Sequence, residues 1–185
     1  MRNTSVKKIQ TGFVLILLFF LNIFSAPQFR EQELRAMFLE AALRFITWPQ
    51  NNSTKQRSTF IIGAFNDDKM VPYLVEILKD KSIYNRKVTF ANLSDSLIDC
   101  DLMLLPQNSE KKLASLQQKL QEKTCLTVTD DPALLKKGIF MCIAVESQKI
   151  KLYFNDEILQ NSDLKISHHL LKKSKILQIK RDKHE

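Results

Sequence analysis

Two acidic pairs, Asp67 with Asp68 and Asp130 with Asp131, are the residues best placed for polar chemistry, because each follows directly on a run that reads as a parallel strand. Open α/β sheets take their ligands at that carboxyl edge. Asn66, Asp67, Gln107, Asn108 and Asp130 therefore form a candidate site for a small polar ligand. The same aspartates have a simpler use, since Asp is a favoured helix N-cap and suits the positive end of a helix; capping is the preferred reading of both pairs. The other candidates fail on spacing. His168 and His169 are adjacent, which on a helix points them about 100° apart and prevents the shared grip that an i, i+4 pair would have on a metal ion. No serine lies in a G-x-S-x-G turn, and none of Cys100, Cys125 and Cys142 has a histidine near it in sequence. The chain holds only Gly12, Gly63 and Gly138, too few for a loop whose amides close around a phosphate. No catalytic residue, metal site or cofactor is expected.

The elements that would position the acidic pairs can be read from periodicity. Leu34, Met37, Phe38, Ala41, Phe45 and Trp48 recur at helical spacing and predict a helix that docks by this stripe and ends before Pro49. Phe45 and Trp48 on it are candidate anchors for a protein partner, although such a stripe is more often core. Residues 50–58 read as a loop. Thr59 to Phe65, Lys87 to Ala91, Leu102 to Leu105 and Cys125 to Thr129 read as strands. Helices are expected around Val71 to Leu78, where Pro72 fits the first turn, and from Ser109, a plausible cap, to Glu122. This alternation implies right-handed crossovers and a mainly parallel sheet. Ile139 to Val145 and Lys151 to Phe154 are close enough to form an antiparallel hairpin, and Asp156 to Gln160 and Ser167 to Ser174 read as short covering helices. The expected fold is a single α/β domain, its mainly parallel sheet flanked by helices.

Composition narrows the setting. Arg2, Lys7 and Lys8 precede an apolar run from Phe13 to Leu21 that closes on Ile23, Phe24, Ser25 and Ala26. A membrane span needs roughly 20 apolar residues, so residues 1–26 read as an export signal. Removing its three cations lowers the net charge from +8 to +5. Residues 27–178 make one domain, large enough to bury a core without staples. The odd set of three cysteines then reads as buried free thiols, with one bridge left open in an oxidising compartment. Residues 179–185 read as a basic, solvated tail; no aromatic residue is interleaved there to stack a base, and nucleic acid is not an expected partner.

Read as a string, the chain carries A-x-F-L at Ala36 to Leu39, F-x-x-W-P at Phe45 to Pro49, and F-I-I-G-A-F-N-D-D at Phe60 to Asp68. N-R at Asn85 and Arg86, C-D-L-M-L-L at Cys100 to Leu105, L-T-V-T-D at Leu126 to Asp130, K-L-Y-F-N at Lys151 to Asn155, and L-K-I-S-x-x-L-L at Leu164 to Leu171 follow in order. This resembles the YfiR-like family of bacterial periplasmic proteins, over nearly the whole domain. It departs from the family pattern at Asn66 and Lys137, where glycine is usual. The resemblance implies a small exported α/β domain without catalytic activity. It also implies a partner, the periplasmic sensor domain of an inner-membrane diguanylate cyclase, whose repression lowers cyclic-di-GMP and biofilm formation. Self-association as a homodimer is left open, and a small-ligand binding module at the strand edge is the alternative.

Overall fold

A computed structural model of the protein describes residues 27–49, 58–93, 99–120 and 124–178. The expected export signal, most of the loop after Pro49 and the basic tail lie outside them. Eight strands form one sheet: β2 (Thr59–Ala64), β3 (Ser82–Ile83), β4 (Arg86–Asn92), β5 (Leu102–Leu105), β6 (Leu126–Thr129), β7 (Met141–Glu146), β8 (Lys149–Asn155) and β10 (Lys175–Leu177). Their spatial order is β10-β8-β7-β6-β5-β2-β4-β3. The pairs from β4 through β2, β5 and β6 to β7 are parallel, as is β8 with β10, while β7–β8 and β3–β4 are antiparallel hairpins. The domain is thus the mainly parallel α/β sheet with a C-terminal hairpin that the strand and helix alternation implies.

Strand β5 shows why the centre of the sheet is so apolar. All four of its residues are buried, with Leu102 and Leu104 in the core under one face and Met103 and Leu105 in the core under the other. Strands covered on both faces read as continuous hydrophobic runs for this reason. Helices α1 (Pro27–Leu43) and α2 (Val71–Leu78) cover the first face, and α3 (Glu110–Leu120) covers the second through Leu113 and Leu116. Gly63 on β2 lets two side chains of the second core come close: a Cβ there would stand 2.7 Å from Leu93 Cδ2 and 3.2 Å from Cys100 Sγ. All three cysteines are buried free thiols, and Cys100 has a neighbour that sequence spacing does not reveal, Cys125, with 3.7 Å between the sulfurs.

The first helix departs from expectation in two ways. It ends at Leu43, and Ile46–Thr47 instead forms a two-residue strand, β1, paired antiparallel with β9 (Lys165–Ile166). The amide of Ser167 extends that pairing to the Phe45 carbonyl at 2.8 Å. Of the stripe drawn through Leu34, Met37, Phe38, Ala41, Phe45 and Trp48, only Phe38 and Trp48 pack on the core. Ala36, Leu39, Ala42 and Leu43 are the buried face, while Leu34, Met37, Ala41 and Phe45 are exposed. Apolar residues occupy so much of the circumference that periodicity alone does not choose the buried arc.

Beneath the amino ends of the strands lies a buried polar node. Asp101, with no exposed surface, accepts from Arg86 Nη2 at 2.9 Å and from the Ile61 amide at 2.9 Å. Its own amide donates to the Ile61 carbonyl, and its carbonyl accepts from the Leu126 amide and from Trp48 Nε1 at 3.3 Å. Arg86 also lies over the Phe60 ring, 5.0 Å from its centroid, and Trp48 meets Phe60 and Tyr84 edge-on at 5.3 and 5.5 Å. The β3–β4 turn brings Arg86 here: Tyr84 and Asn85 take φ of 53° and 59°, the left-handed pair that a two-residue hairpin loop requires. Removing one member of a buried ion pair strands the other, at about 3–5 kcal/mol. Asp101→Ala should therefore lower the melting temperature by roughly 10 °C or more. Asp101→Asn, which keeps an acceptor for Ile61, should lower it less. Near-native melting of Asp101→Ala would show that the node is dispensable.

Candidate functional site

The sheet reverses its winding between β2 and β5: the chain moves outward from β2 to β4, then crosses back to β5 and proceeds through β6 to β7. That reversal is where open α/β sheets place ligands, and the carboxyl ends of β2, β5 and β6 bring the expected residues to it. The two acidic pairs behave alike. In each, the second aspartate serves the helix that follows: Asp68 Oδ1 accepts from the Met70 amide at 2.8 Å, and Asp131 caps the short α4 (Pro132–Leu135) through the Ala133 amide at 2.9 Å. The first aspartate reaches another element. Asp67 takes Lys112 of α3 at 3.0 Å, and Asp130 accepts from the Gln107 amide at 2.6 Å and from Arg35 of α1 at 3.2 Å. Asp131 is thus a helix cap, whereas Asp68 holds the Met70 amide in the turn before α2, a helix without a side-chain cap, and Asp67 and Asp130 make tertiary ties. Ser109, expected as the cap of α3, directly precedes it and takes the Leu113 amide on its carbonyl at 3.0 Å, while its hydroxyl donates to the Pro106 carbonyl at 2.6 Å.

Arg35 is the residue that sequence reasoning missed. It lies on the buried face of α1, 7% exposed, and its guanidinium spans Glu31 at 2.6 Å and Asp130 at 3.2 Å while its Nε, buried, has no hydrogen-bond partner. A charge at i+4 from Glu31 inside an apolar segment was the available signal. Asp68 is the second. Burial first, then the neighbouring charges of Asp130 and Asp67, push its carboxyl up to about 6. Asp67, exposed and held by Lys112, stays below the usual carboxylate range. Asn66, Gln107 and Asn108 are exposed at the rim, Asn108 with φ of 70°.

The space these residues enclose decides what the edge can do. The cavity lined by Gln32, Asp68, Pro106, Thr129 and Asp130 is about 10 Å³, room for about one water molecule. A metabolite needs several hundred Å³. Met70 lines the same small space. A larger groove, about 500 Å³, opens elsewhere, between the C-terminal ends of α1 and α2 and the β3–β4 hairpin, lined by Glu40, Leu43, Arg44, Lys81, Ile83 and Tyr84. Of the two residues marked as partner anchors, Phe45 is exposed and Trp48 is buried in the polar node. His168 and His169 are exposed neighbours on α6 (His168–Leu171), the helix after α5 (Asp156–Asn161). Among the described residues no group of three or more His, Cys, Asp and Glu could hold a metal ion, and no helix is long and apolar enough to cross a membrane.

The architecture is that of a compact α/β domain whose ligand edge is closed by its own side chains. A family model described as YfiR/HmsC-like matches residues 32–175, and the chain belongs to this family. The family is periplasmic and regulatory, and is associated with control of diguanylate cyclases rather than with catalysis. A comparison with curated proteins gives no match. Among solved structures, a conserved domain protein from Vibrio cholerae O1 biovar El Tor str. N16961 is similar at 10% identity and a TM-score of 0.49; the match covers 80% of this chain and 60% of that one.

The raised carboxyl of Asp68 gives a pH signature. Its folded value, about 6, lies above the ordinary 3.8. The stability it contributes is complete below pH 3.8, falls as the pH rises towards 6, and is level above that. Asp68→Asn should remove this slope and stabilise the domain at pH 7.5 by roughly 1–3 kcal/mol. Denaturant melts at pH 4, 5, 6 and 7.5 measure it; equal slopes for both proteins would place the titration elsewhere.

Proposed function

We propose that this protein is a periplasmic regulator that binds the periplasmic sensor domain of an inner-membrane diguanylate cyclase and holds it in its low-activity state, lowering cyclic-di-GMP and biofilm formation. Membership of the YfiR/HmsC-like family over residues 32–175 carries the reading. Two physical features support it. The N-terminal cations followed by the apolar run Phe13 to Leu21 have the pattern of an export signal. Among the described residues the strand edge at the winding reversal encloses space for about one water, which weighs against a metabolite site there. Regulation by contact has a plain energetic limit: the receptor's equilibrium shifts by no more than the difference in affinity for its two states. Moving a receptor from 1:99 to 99:1 takes a preference of about 10⁴-fold.

Deleting the gene in its host should raise cyclic-di-GMP and surface attachment, and periplasmic cross-linking of the tagged protein should recover a membrane-bound diguanylate cyclase. Fractionation should find the protein outside the cytoplasm. Unchanged cyclic-di-GMP together with no cyclase among the cross-linked products would overturn the proposal.

A further inference from the structure

The groove of about 500 Å³ between the C-terminal ends of α1 and α2 and the β3–β4 hairpin has the volume of a ligand cleft, but its walls stand open. Its floor is apolar, with Leu43, Leu78 and Ile83 buried. Its rim is aromatic and charged: Tyr84 is 47% exposed, and the side chains of Arg44 and Lys81 are 68% and 45% exposed. The Tyr84 hydroxyl donates to the Ile46 carbonyl, which fixes the ring against the segment that follows exposed Phe45. Exposed aromatic and arginine side chains around an apolar floor are the residue types that anchor protein interfaces.

The charges give the groove a sign. Arg44 and Lys81 share one carboxylate, Glu40, at 2.5 and 3.1 Å, and Glu40 is the least exposed of the three. Two cations therefore face one anion in the lining. Glu40 takes Arg44 through Nη2, and a guanidinium carries further N–H donors, so part of the fork is left for a second carboxylate. A small molecule is held by burying roughly 70–90% of its surface. A rim this exposed does not close over one; it fits a partner that brings its own surface to cover the walls.

We propose that this groove docks an acidic segment of the regulated receptor, an Asp or Glu side chain meeting Arg44 and Lys81 while a neighbouring apolar side chain lies on Leu43, Leu78 and Ile83. The inference rests on the regulator reading above and names the surface through which it acts. The test is photo-cross-linking of the full chain in its host, with p-benzoylphenylalanine in place of Tyr84 or, as a control on the far side of the sheet, in place of exposed Lys149 on β8. The probe at Tyr84 should couple to a stretch of a diguanylate cyclase's periplasmic domain that carries Asp or Glu, and the probe at Lys149 should not. Arg44→Glu, an exposed change that should leave the melting temperature within a few degrees, should weaken binding to spheroplasts bearing that cyclase by roughly tenfold or more. Exchanging the captured acidic residue for Arg should restore binding to Arg44→Glu to within about threefold of wild type. Full binding by Arg44→Glu, or a cyclase captured from Lys149 and not from Tyr84, would overturn the inference and leave the regulator reading standing. A small-molecule adduct at Tyr84 in place of a peptide would assign the groove to a metabolite and overturn it too. With no cyclase captured from either position, both would fall.

Discussion

The ion pair between Arg86 and Asp101 is the contact on which the sheet's arrangement turns. It joins β4 to the start of β5 across β2, and the same aspartate holds the Ile61 amide of β2 through its side chain and Leu126 of β6 through its carbonyl. Four strands are thereby set in register by one residue with no exposed surface. Burying a charge pair is rarely a net gain, because desolvation offsets much of the attraction. Its value here lies in discrimination. A strand slipped by one residue would leave the guanidinium and the carboxylate apart in the core, each uncompensated, at a cost of about 3–5 kcal/mol. The apolar run Leu102 to Leu105, buried on both faces, has no alternation of its own to fix register.

The opposite edge of the sheet uses charge differently. There the acidic residues are divided between starting a helix and tying a distant element down, and Arg35 draws α1 onto the end of β6. The edge where α/β sheets commonly open to a ligand is closed by Asp68, Met70 and Asp130 and retains space for about one water. Both ends of the sheet are therefore occupied by internal polar contacts, one holding register and the other docking a helix.

Much of this was legible in the sequence, and what was not has identifiable causes. The central strands announced themselves by apolar runs, and the crossover pattern followed from their alternation with helices. The motif fragments proved to be neighbours: N-R and C-D supply the two halves of the ion pair, W-P places the indole against it, and the stretch beginning L-K-I-S pairs with the segment after the first helix. The two-residue strands β1, β3 and β9 were missed because they have no periodicity to read; tertiary pairing alone makes them strands. The docking arc of α1 was misassigned because apolar residues nearly encircle it, and Arg35 escaped notice because a lone charge in such a helix resembles a solvated one. Cys100 and Cys125, 25 positions apart, meet only because β5 and β6 are adjacent.

The misassigned helix bears most directly on how the domain works. An apolar arc turned outward forgoes part of the roughly 1.5–3 kcal/mol that full burial of a large apolar side chain gives, Leu34, Met37 and Phe45 being 39%, 54% and 44% exposed.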